Sequence, residues 1–201
     1  MSYTPERQRS AALAEHGSRA LSSAILIGSV TAVMWLLEAF DSASDGWFDR
    51  FGITPRDIGD LPDIFTAPFM HGGFGHLMAN TVPFVVLGFV AAARGIAKFL
   101  VASLIVIVVG GLGVWFTGSG NTLGSSILIF GFFGYLVGRG IFERRALDIG
   151  IAVVVVAVYG TMLLGVLPGD PGISWQGHLF GLVGGVLGAF FLRRSRDASS
   201  A

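Results

Sequence analysis

The chain has 201 residues, of which 53% are hydrophobic and only 13% are charged, and its mean hydropathy is +0.73. Because a soluble domain carries about 25% charged residues, this composition excludes an ordinary soluble globule and predicts an integral membrane protein with one compact bundle. The formal net charge is zero and there is no cysteine, so nothing favours a nucleic-acid partner, and a disulfide, a thiol nucleophile and a thiolate metal site are excluded.

Six apolar segments approach the roughly 20 residues that a helix needs to cross a bilayer. In chain order they lie at about 22–40, 67–91, 97–116, 123–141, 147–167 and 174–192. The sequence therefore predicts an all-α bundle of six transmembrane helices over residues 22–192. Residues 1–21 form a polar N-terminal tail and residues 193–201 a basic C-terminal tail. We see no cleavable signal peptide in the first twenty residues and expect the first span to act as its own insertion signal.

The connection between the first and second segments, residues 41–66, is the longest. It mixes acidic residues, glycine and proline with apolar side chains such as Trp47, Phe51 and Leu61. A purely solvated linker would be more polar, so we expect this external connection to lie half-embedded in the membrane interface.

The cations are distributed unevenly about the six segments. Eleven of the thirteen Lys and Arg residues flank one side, and only Arg50 and Arg56 flank the other. The positive-inside rule then predicts a multi-pass protein of the cell membrane with both termini in the cytoplasm.

The second segment carries two histidines and one asparagine, His71, His76 and Asn80. His76 and Asn80 are four residues apart and share a helix face. Donors on one face can stabilise a developing oxyanion, each contributing about 10²–10³ in rate, or they can form a polar clasp between helices. His71 precedes His76 by five residues, a rotation of about 140° in a regular helix, which disfavours a two-histidine metal site. We expect a structural role for His71 and no metal.

The fourth and sixth segments each carry, near their start, a polar residue that is expensive in lipid. Ser126 lies in Gly124-Ser125-Ser126-Ile127, and His178 follows Gly177. A neutral imidazole can deprotonate a serine hydroxyl and so make it a nucleophile. No acidic residue in either motif would orient the imidazole, which points to a dyad. The alternatives are a serine bonded to its own helix and a histidine in interhelical packing.

Glycines recur at a spacing of four in both of these segments, as on helix faces that pack closely in lipid. The three pairs are Gly134/Gly138, Gly181/Gly185 and Gly184/Gly188. The spacing predicts that the fourth and sixth helices meet backbone to backbone, which would bring Ser126 and His178 within reach of each other.

These runs together resemble rhomboid intramembrane serine proteases. The run His71-Gly72-Gly73-Phe74-Gly75-His76-Leu77-Met78-Ala79-Asn80 is similar to the second-helix signature of that family. Gly124-Ser125-Ser126 with the residues to Gly134 is similar to its nucleophile helix, and Trp175-Gln176-Gly177-His178-Leu179-Phe180-Gly181 to its last core helix. Residues 51–56 and 68–71 resemble the bacterial branch. The likeness covers about residues 22–192, with the same motif order and helix count.

The resemblance implies a rhomboid-like fold and a serine endopeptidase that cuts transmembrane segments of membrane-protein substrates near the outer face without a cofactor. It implies that Ser126 is the nucleophile and His178 the general base. The oxyanion positions correspond to His76, Asn80 and the backbone N–H of Ser126. Phe130 corresponds to an aromatic ring that packs against the imidazole, and we expect Phe130 and Trp175 to contact the substrate. Residues 168–172 correspond to a mobile cap.

One position departs from the family pattern. The family usually has glycine directly after the nucleophile, where this chain has Ile127. A bulky side chain there could narrow the site or alter the helix start, which keeps open a catalytically inactive rhomboid-like protein that binds transmembrane helices. A small channel or transporter lined by His76, Asn80 and His178 is a weaker alternative, because no inverted repeat is present.

Overall fold

The computed structural model describes residues 5–169 and 172–194. Six α-helices make up most of these residues. They are α1 (Pro5–Ala43), α2 (Phe74–Ala93), α3 (Ile96–Thr117), α4 (Ser126–Glu143), α5 (Ala146–Tyr159) and α6 (Trp175–Phe191). Three 3₁₀ helices, Trp47–Phe51, Leu61–Phe65 and Ala67–Phe69, lie between α1 and α2, and a fourth, Gly160–Val166, continues α5.

The helices have the lengths of a membrane bundle. Five segments are long and apolar enough to cross a bilayer: Leu13–Ala43, Phe74–Ala93, Ile96–Thr117, Ser126–Glu143 and Ala146–Val166. The sixth, α6, is a shorter apolar helix of 17 residues, about 25 Å long at 1.5 Å per residue. The predicted all-α membrane bundle is confirmed. Its sixth predicted segment is present as a helix, but that helix is shorter than the five that are long enough to cross a bilayer.

Helix boundaries differ from the predicted segments where glycine and proline intervene. The segment predicted from residue 67 becomes α-helical only at Phe74, because Pro68 and Gly73 (φ +118°) precede it. The segment predicted over 147–167 changes from α to 3₁₀ geometry at Gly160. At the N-terminus the helix extends well beyond the predicted 22–40 and begins at Pro5.

The central element of the bundle is α4. In its most apolar window 72% of the residues are buried within the protein, against 17% for α1 and 6% for α5. Helix α4 packs against α2, α3, α5 and α6, whereas α1 packs chiefly along α2. The polar residue that begins α4 is therefore held by the most constrained helix of the fold.

Glycines bring α4 and α6 into backbone contact. A Cβ atom added at Gly181 would overlap the carbonyl of Ile127, and one added at Gly185 would overlap the carbonyl of Gly131. Gly134 of α4 approaches the α6 backbone in the same way. The predicted close meeting of the fourth and sixth helices is confirmed for these glycines.

The remaining glycine pair of α6 faces a different helix. A Cβ atom at Gly184 would lie 2.9 Å from the Cα atom of Val106, and one at Gly188 would lie 3.3 Å from the Cβ atom of Ala102. Both contacts are with α3, so α6 uses one glycine face against α4 and the other against α3.

The connection between α1 and α2 is fastened to the bundle. Ile53 forms an isolated antiparallel bridge with Thr122, with N–H···O distances of 2.8 and 3.0 Å. The indole Nε1–H of Trp115, near the end of α3, donates to the Asp57 carbonyl at 2.7 Å. These bonds hold residues 41–66 beside the segment that leads into α4. We call the end of the bundle at which residues 41–66 lie the loop end.

A buried ion cluster joins three helices at the opposite end. Asp148 of α5 is 2% exposed and accepts hydrogen bonds from Arg94, next to α2, at 3.0 Å and from Arg139 of α4 at 3.1 Å. Because buried charges are costly unless paired, this cluster fixes the start of α5 relative to α2 and α4.

Candidate active site

His71 fastens the approach to α2 to the residue before Ser126. Its ring is 3% exposed. Its Nε2 lies 3.2 Å from Ser125 Oγ and accepts the Ser125 backbone N–H at 3.4 Å. Burial and, to a smaller extent, the neighbouring His76 lower the pKa of His71 to about 4, against a small opposing effect of the Phe69 carbonyl. His71 is therefore neutral at pH 7 and has the structural contact expected of it.

His76 and Asn80 both face Gly124. A Cβ atom built on Gly124 would lie 2.7 Å from His76 Cε1 and 3.7 Å from Asn80 Nδ2. Gly124 also has φ +123°, a conformation that L side chains rarely adopt. Residue 124 therefore needs to be glycine for two reasons: its backbone has a positive φ, and the side chain of His76 leaves no room for a Cβ atom.

Asn80 carries a free donor at this point. The residue is 9% exposed, and its Nδ2 is buried with no hydrogen-bond partner in the part of the chain that the structure describes. Buried polar atoms are nearly always paired. An unpaired donor facing Gly124 is therefore available for an acceptor that arrives from outside the chain.

The imidazole of His178 is held from two sides. It is 9% exposed and stacks on Phe130 of α4, with ring centroids 4.0 Å apart and planes 9° from parallel. Its Nδ1 lies 2.9 Å from the Gly165 carbonyl oxygen. A carbonyl can only accept, so the bond requires the proton on Nδ1 and leaves Nε2 unprotonated in the neutral ring.

Ser126 and His178 lie on the two helices that meet at the glycine contact. Ser126 is the first residue of α4 and is half-buried, and Phe130 lies one turn further along the same helix. His178 precedes Gly181 by three residues, and Gly181 packs on the Ile127 carbonyl. No hydrogen bond joins Ser126 to His178 among the described residues.

Ile127 lies at the interface of α4 with α3 and α6. Its side chain is 1% exposed. Its Cγ2 lies 2.5 Å from a Cβ atom built on Gly110 of α3, and its Cγ1 lies 3.1 Å from one built on Gly177 of α6. Two glycines make the room that this bulky residue fills. The Ile127 side chain therefore packs at the interface of α4 with α3 and α6.

A polar cavity of about 580 Å³ opens at the loop end. Of the predicted site residues, His76 and the half-buried Trp175 line it. Its walls otherwise come from Asp49, Gly72, residues 119–123, Pro168, Gly169 and residues 172–174 and 176. Ser126 lies three residues beyond Leu123, and His178 two beyond Gln176. Asp170 and Pro171 of the predicted cap lie outside the described residues.

Two residues at this site were not predicted as contributors. Ser125, the middle residue of the Gly-Ser-Ser motif, is fully buried and bonded to His71. Gly165 contributes a backbone carbonyl, which has no side-chain signature in a sequence. Within residues 5–169 and 172–194, no group of three or more His, Asp or Glu side chains is arranged to hold a metal ion.

These features define a multi-pass membrane protein: helices of spanning length, close glycine packing at the centre and a polar cavity at one end. The candidate site lies at the ends of the helices. The family description "Rhomboid domain" matches residues 59–195. An uncharacterized protein of Mycobacterium tuberculosis is 42% identical over 171 residues, which cover 80% of this chain and 71% of that protein. One from Mycobacterium leprae is 36% identical over 202 residues, 96% of this chain and 78% of that protein.

The chain therefore belongs to the rhomboid family. Its mycobacterial relatives are described only as uncharacterized, so family membership is what the comparisons establish.

Proposed function

We propose that this chain is an intramembrane serine endopeptidase. It hydrolyses peptide bonds in or near the transmembrane segments of membrane-protein substrates, with Ser126 as nucleophile and His178 as general base. The observation that carries the proposal is the imidazole of His178, stacked on Phe130 one turn from Ser126 and bonded through Nδ1 to a carbonyl.

The first chemical step is the attack of Ser126 on the scissile carbonyl. A serine hydroxyl is a weak nucleophile until a base removes its proton. With Nδ1 protonated, the unprotonated Nε2 of His178 accepts the proton from Ser126 Oγ as the Oγ–C bond forms. The resulting imidazolium gives that proton to the departing amine. A water molecule then hydrolyses the acyl-enzyme, with His178 again acting as base.

The negative charge that develops on the substrate oxygen needs donors near Gly124. His76 and Asn80 face this glycine, and the backbone N–H of Ser126 at the start of α4 is one of the donors that a helix N-terminus leaves unpaired. Asn80 Nδ2, buried and unpaired, is the group best suited to a charge that appears only during the reaction.

The cavity at the loop end supplies the entrance for water and for an extended substrate strand. The family resemblance and the lining residue Trp175 support substrate contact at this rim, and Phe130 contributes by supporting the imidazole. The distribution of cations supports a protein of the cell membrane with both termini in the cytoplasm. No cofactor is required by this chemistry.

The direct test is cleavage of a reporter transmembrane substrate by the purified protein in liposomes. Ser126→Ala and His178→Ala should each abolish cleavage while the protein still folds. Ser103→Ala is the matched control, because Ser103 is also a serine in a membrane helix and bonds back to the Phe99 carbonyl. Full activity in Ser126→Ala would overturn the proposal.

The alternative is an inactive relative that binds transmembrane helices. Its motivation is Ile127 directly after Ser126. The packing of that side chain against Gly110 and Gly177 supports the active enzyme over a side chain that blocks the site. A wild-type protein that retains a transmembrane peptide but never cuts it would favour this alternative.

A further inference from the structure

The fifth membrane segment ends in a way that leaves the Gly165 carbonyl without a backbone N–H partner among the described residues. After Tyr159 the chain changes to a 3₁₀ helix, Gly160–Val166, in which each N–H bonds the carbonyl three residues earlier. The Leu167 N–H continues this pattern and donates to the Leu164 carbonyl at 3.2 Å. The series ends there for two reasons. Leu167 is extended (φ −93°, ψ 142°), as a residue before proline usually is, and Pro168 itself has no N–H.

The carbonyl released in this way is that of Gly165, and His178 uses it. The His178 Nδ1–H donates to this oxygen at 2.9 Å. Gly165 also lies directly against the imidazole and its stacking partner. A Cβ atom built there would be 3.0 Å from His178 Nδ1 and 3.3 Å from Phe130 Cζ. The absence of a side chain at residue 165 is what lets the backbone come this close.

We infer that the Gly165 carbonyl, freed by Pro168, is the positioning group that fixes the tautomer and ring orientation of His178. It occupies the role that a carboxylate has in a Ser-His-Asp triad, where the acid holds the imidazole with Nδ1 protonated. This inference rests on the proposed function, since it describes how the proposed base is aimed. The positioning residue comes from the segment that continues into the cavity rim at Pro168 and Gly169.

A carbonyl differs from a carboxylate in what it can contribute. It selects the Nδ1–H tautomer and restrains the ring, but it carries no full charge to stabilise the imidazolium. The loss of a neutral hydrogen bond changes an equilibrium by about tenfold. Loss of the carboxylate in a Ser-His-Asp triad costs about 10⁴ in kcat. Removing the Gly165 bond should therefore lower kcat by about tenfold, with KM nearly unchanged.

The first test needs no variant. The chain has four histidines, so ¹⁵N-histidine NMR of the wild-type protein, with the His178 signals assigned by their loss in His178→Ala, reports the tautomer directly. We expect a protonated Nδ1 and an unprotonated Nε2. A neutral ring protonated on Nε2 overturns the inference.

The second test restores the missing donor. Pro168→Ala adds an N–H and lifts the restriction that proline places on Leu167. The 3₁₀ helix can then extend by one residue, and the new N–H competes with His178 for the Gly165 carbonyl. Both tautomers should then appear in the ¹⁵N spectrum, and kcat for the reporter should fall in proportion to the loss of the Nδ1–H tautomer, by up to about tenfold. Pro62→Ala is the matched control, because Pro62 is an exposed proline in another 3₁₀ helix, Leu61–Phe65. An unchanged tautomer and an unchanged kcat in Pro168→Ala contradict the inference.

The third test crowds the ring. Gly165→Ala places a methyl group against His178 and Phe130, and it should lower kcat more than Gly160→Ala does. Gly160 begins the same 3₁₀ helix, and an added Cβ there meets nothing closer than Val156 Cγ1 at 3.7 Å. Equal effects of the two substitutions count against a specific role for Gly165.

The outcomes separate the inference from the proposed function. If the wild-type protein cleaves its reporter but His178 is protonated on Nε2, the positioning role is refuted and the protease stands. If the Nδ1–H tautomer is present but no substrate is cleaved, the protease proposal fails and the positioning role fails with it.

Discussion

Replacing Asn80 with alanine separates a catalytic contribution from a structural one. In the resting protein Asn80 Nδ2 is buried and has no partner among the described residues. Its removal therefore breaks no hydrogen bond of that donor, and it relieves a desolvation cost of about 1–3 kcal/mol. The truncated side chain loses packing of similar size, so we expect the free energy of unfolding to change by less than about 1 kcal/mol.

The effect on rate should be much larger. If Asn80 is one of three oxyanion donors, its loss costs about 10²–10³ in kcat, or about 2.7–4 kcal/mol of transition-state stabilisation. Ser126→Ala removes the bond-forming atom and should leave no measurable cleavage, so Asn80→Ala should lie between that variant and the wild type. Cleavage of a reporter in liposomes, normalised to folded protein, measures the difference.

The neighbouring residue Thr81 provides the control with the opposite pattern. Its Oγ1 accepts from Trp35 Nε1 at 3.1 Å and donates to the Leu77 carbonyl at 2.8 Å. Thr81→Ala should lower stability by about 1 kcal/mol through the unpaired indole N–H and leave kcat unchanged. The reasoning is refuted if Asn80→Ala destabilises the protein more than Thr81→Ala and its lost activity equals the lost folded fraction.

Three further substitutions test the rest of the site. Gly124→Ala should lower kcat by at least about 10², because it strains the backbone by about 1–3 kcal/mol and its methyl group displaces the ring of His76. A nearly normal kcat in this variant would contradict the geometry. The pKa of His71 is about 4 in the folded protein and near 6.5 in the unfolded chain. As the pH falls, the unfolded chain therefore takes up this proton at a higher pH than the folded protein does. Stability should thus be constant above pH 6.5 and fall as the pH drops toward 4. A stability curve without this slope, or the same slope in His71→Gln, would contradict the assignment. Ile127→Gly should lower stability by more than about 2 kcal/mol, because it opens a cavity at the interface of α4 with α3 and α6. It should bring no gain in kcat per folded molecule. A large gain in kcat would mean that Ile127 obstructs the site.

The sequence predicts the parts of this fold that depend on repeated local signals. Apolar segment lengths predict the six helices, and glycines at a spacing of four predict the contact between α4 and α6, as Gly181 and Gly185 confirm. The start of α2 was predicted too early. Apolar composition continues through Pro68 and Gly73, whereas helical backbone geometry does not.

The site is harder to predict where it depends on backbone groups and on distant contacts. Ser126 and His178 are signalled by polar side chains in apolar surroundings. The carbonyl of Gly165 gives no such signal, because its availability follows from a 3₁₀ register and from Pro168 three residues later. The burial of Ile127 between glycines of α3 and α6 likewise depends on tertiary packing, which its place beside Ser126 does not reveal.

Covalent labelling tests the central claim most directly. A fluorophosphonate probe reacts with a serine that a neighbouring base has activated, and peptide mass spectrometry locates the adduct. We predict an adduct on Ser126 in the wild-type protein and none in folded His178→Ala. Folded wild-type protein that stays unlabelled, or labelling of Ser126 that persists unchanged without His178, would contradict a nucleophile activated by this imidazole.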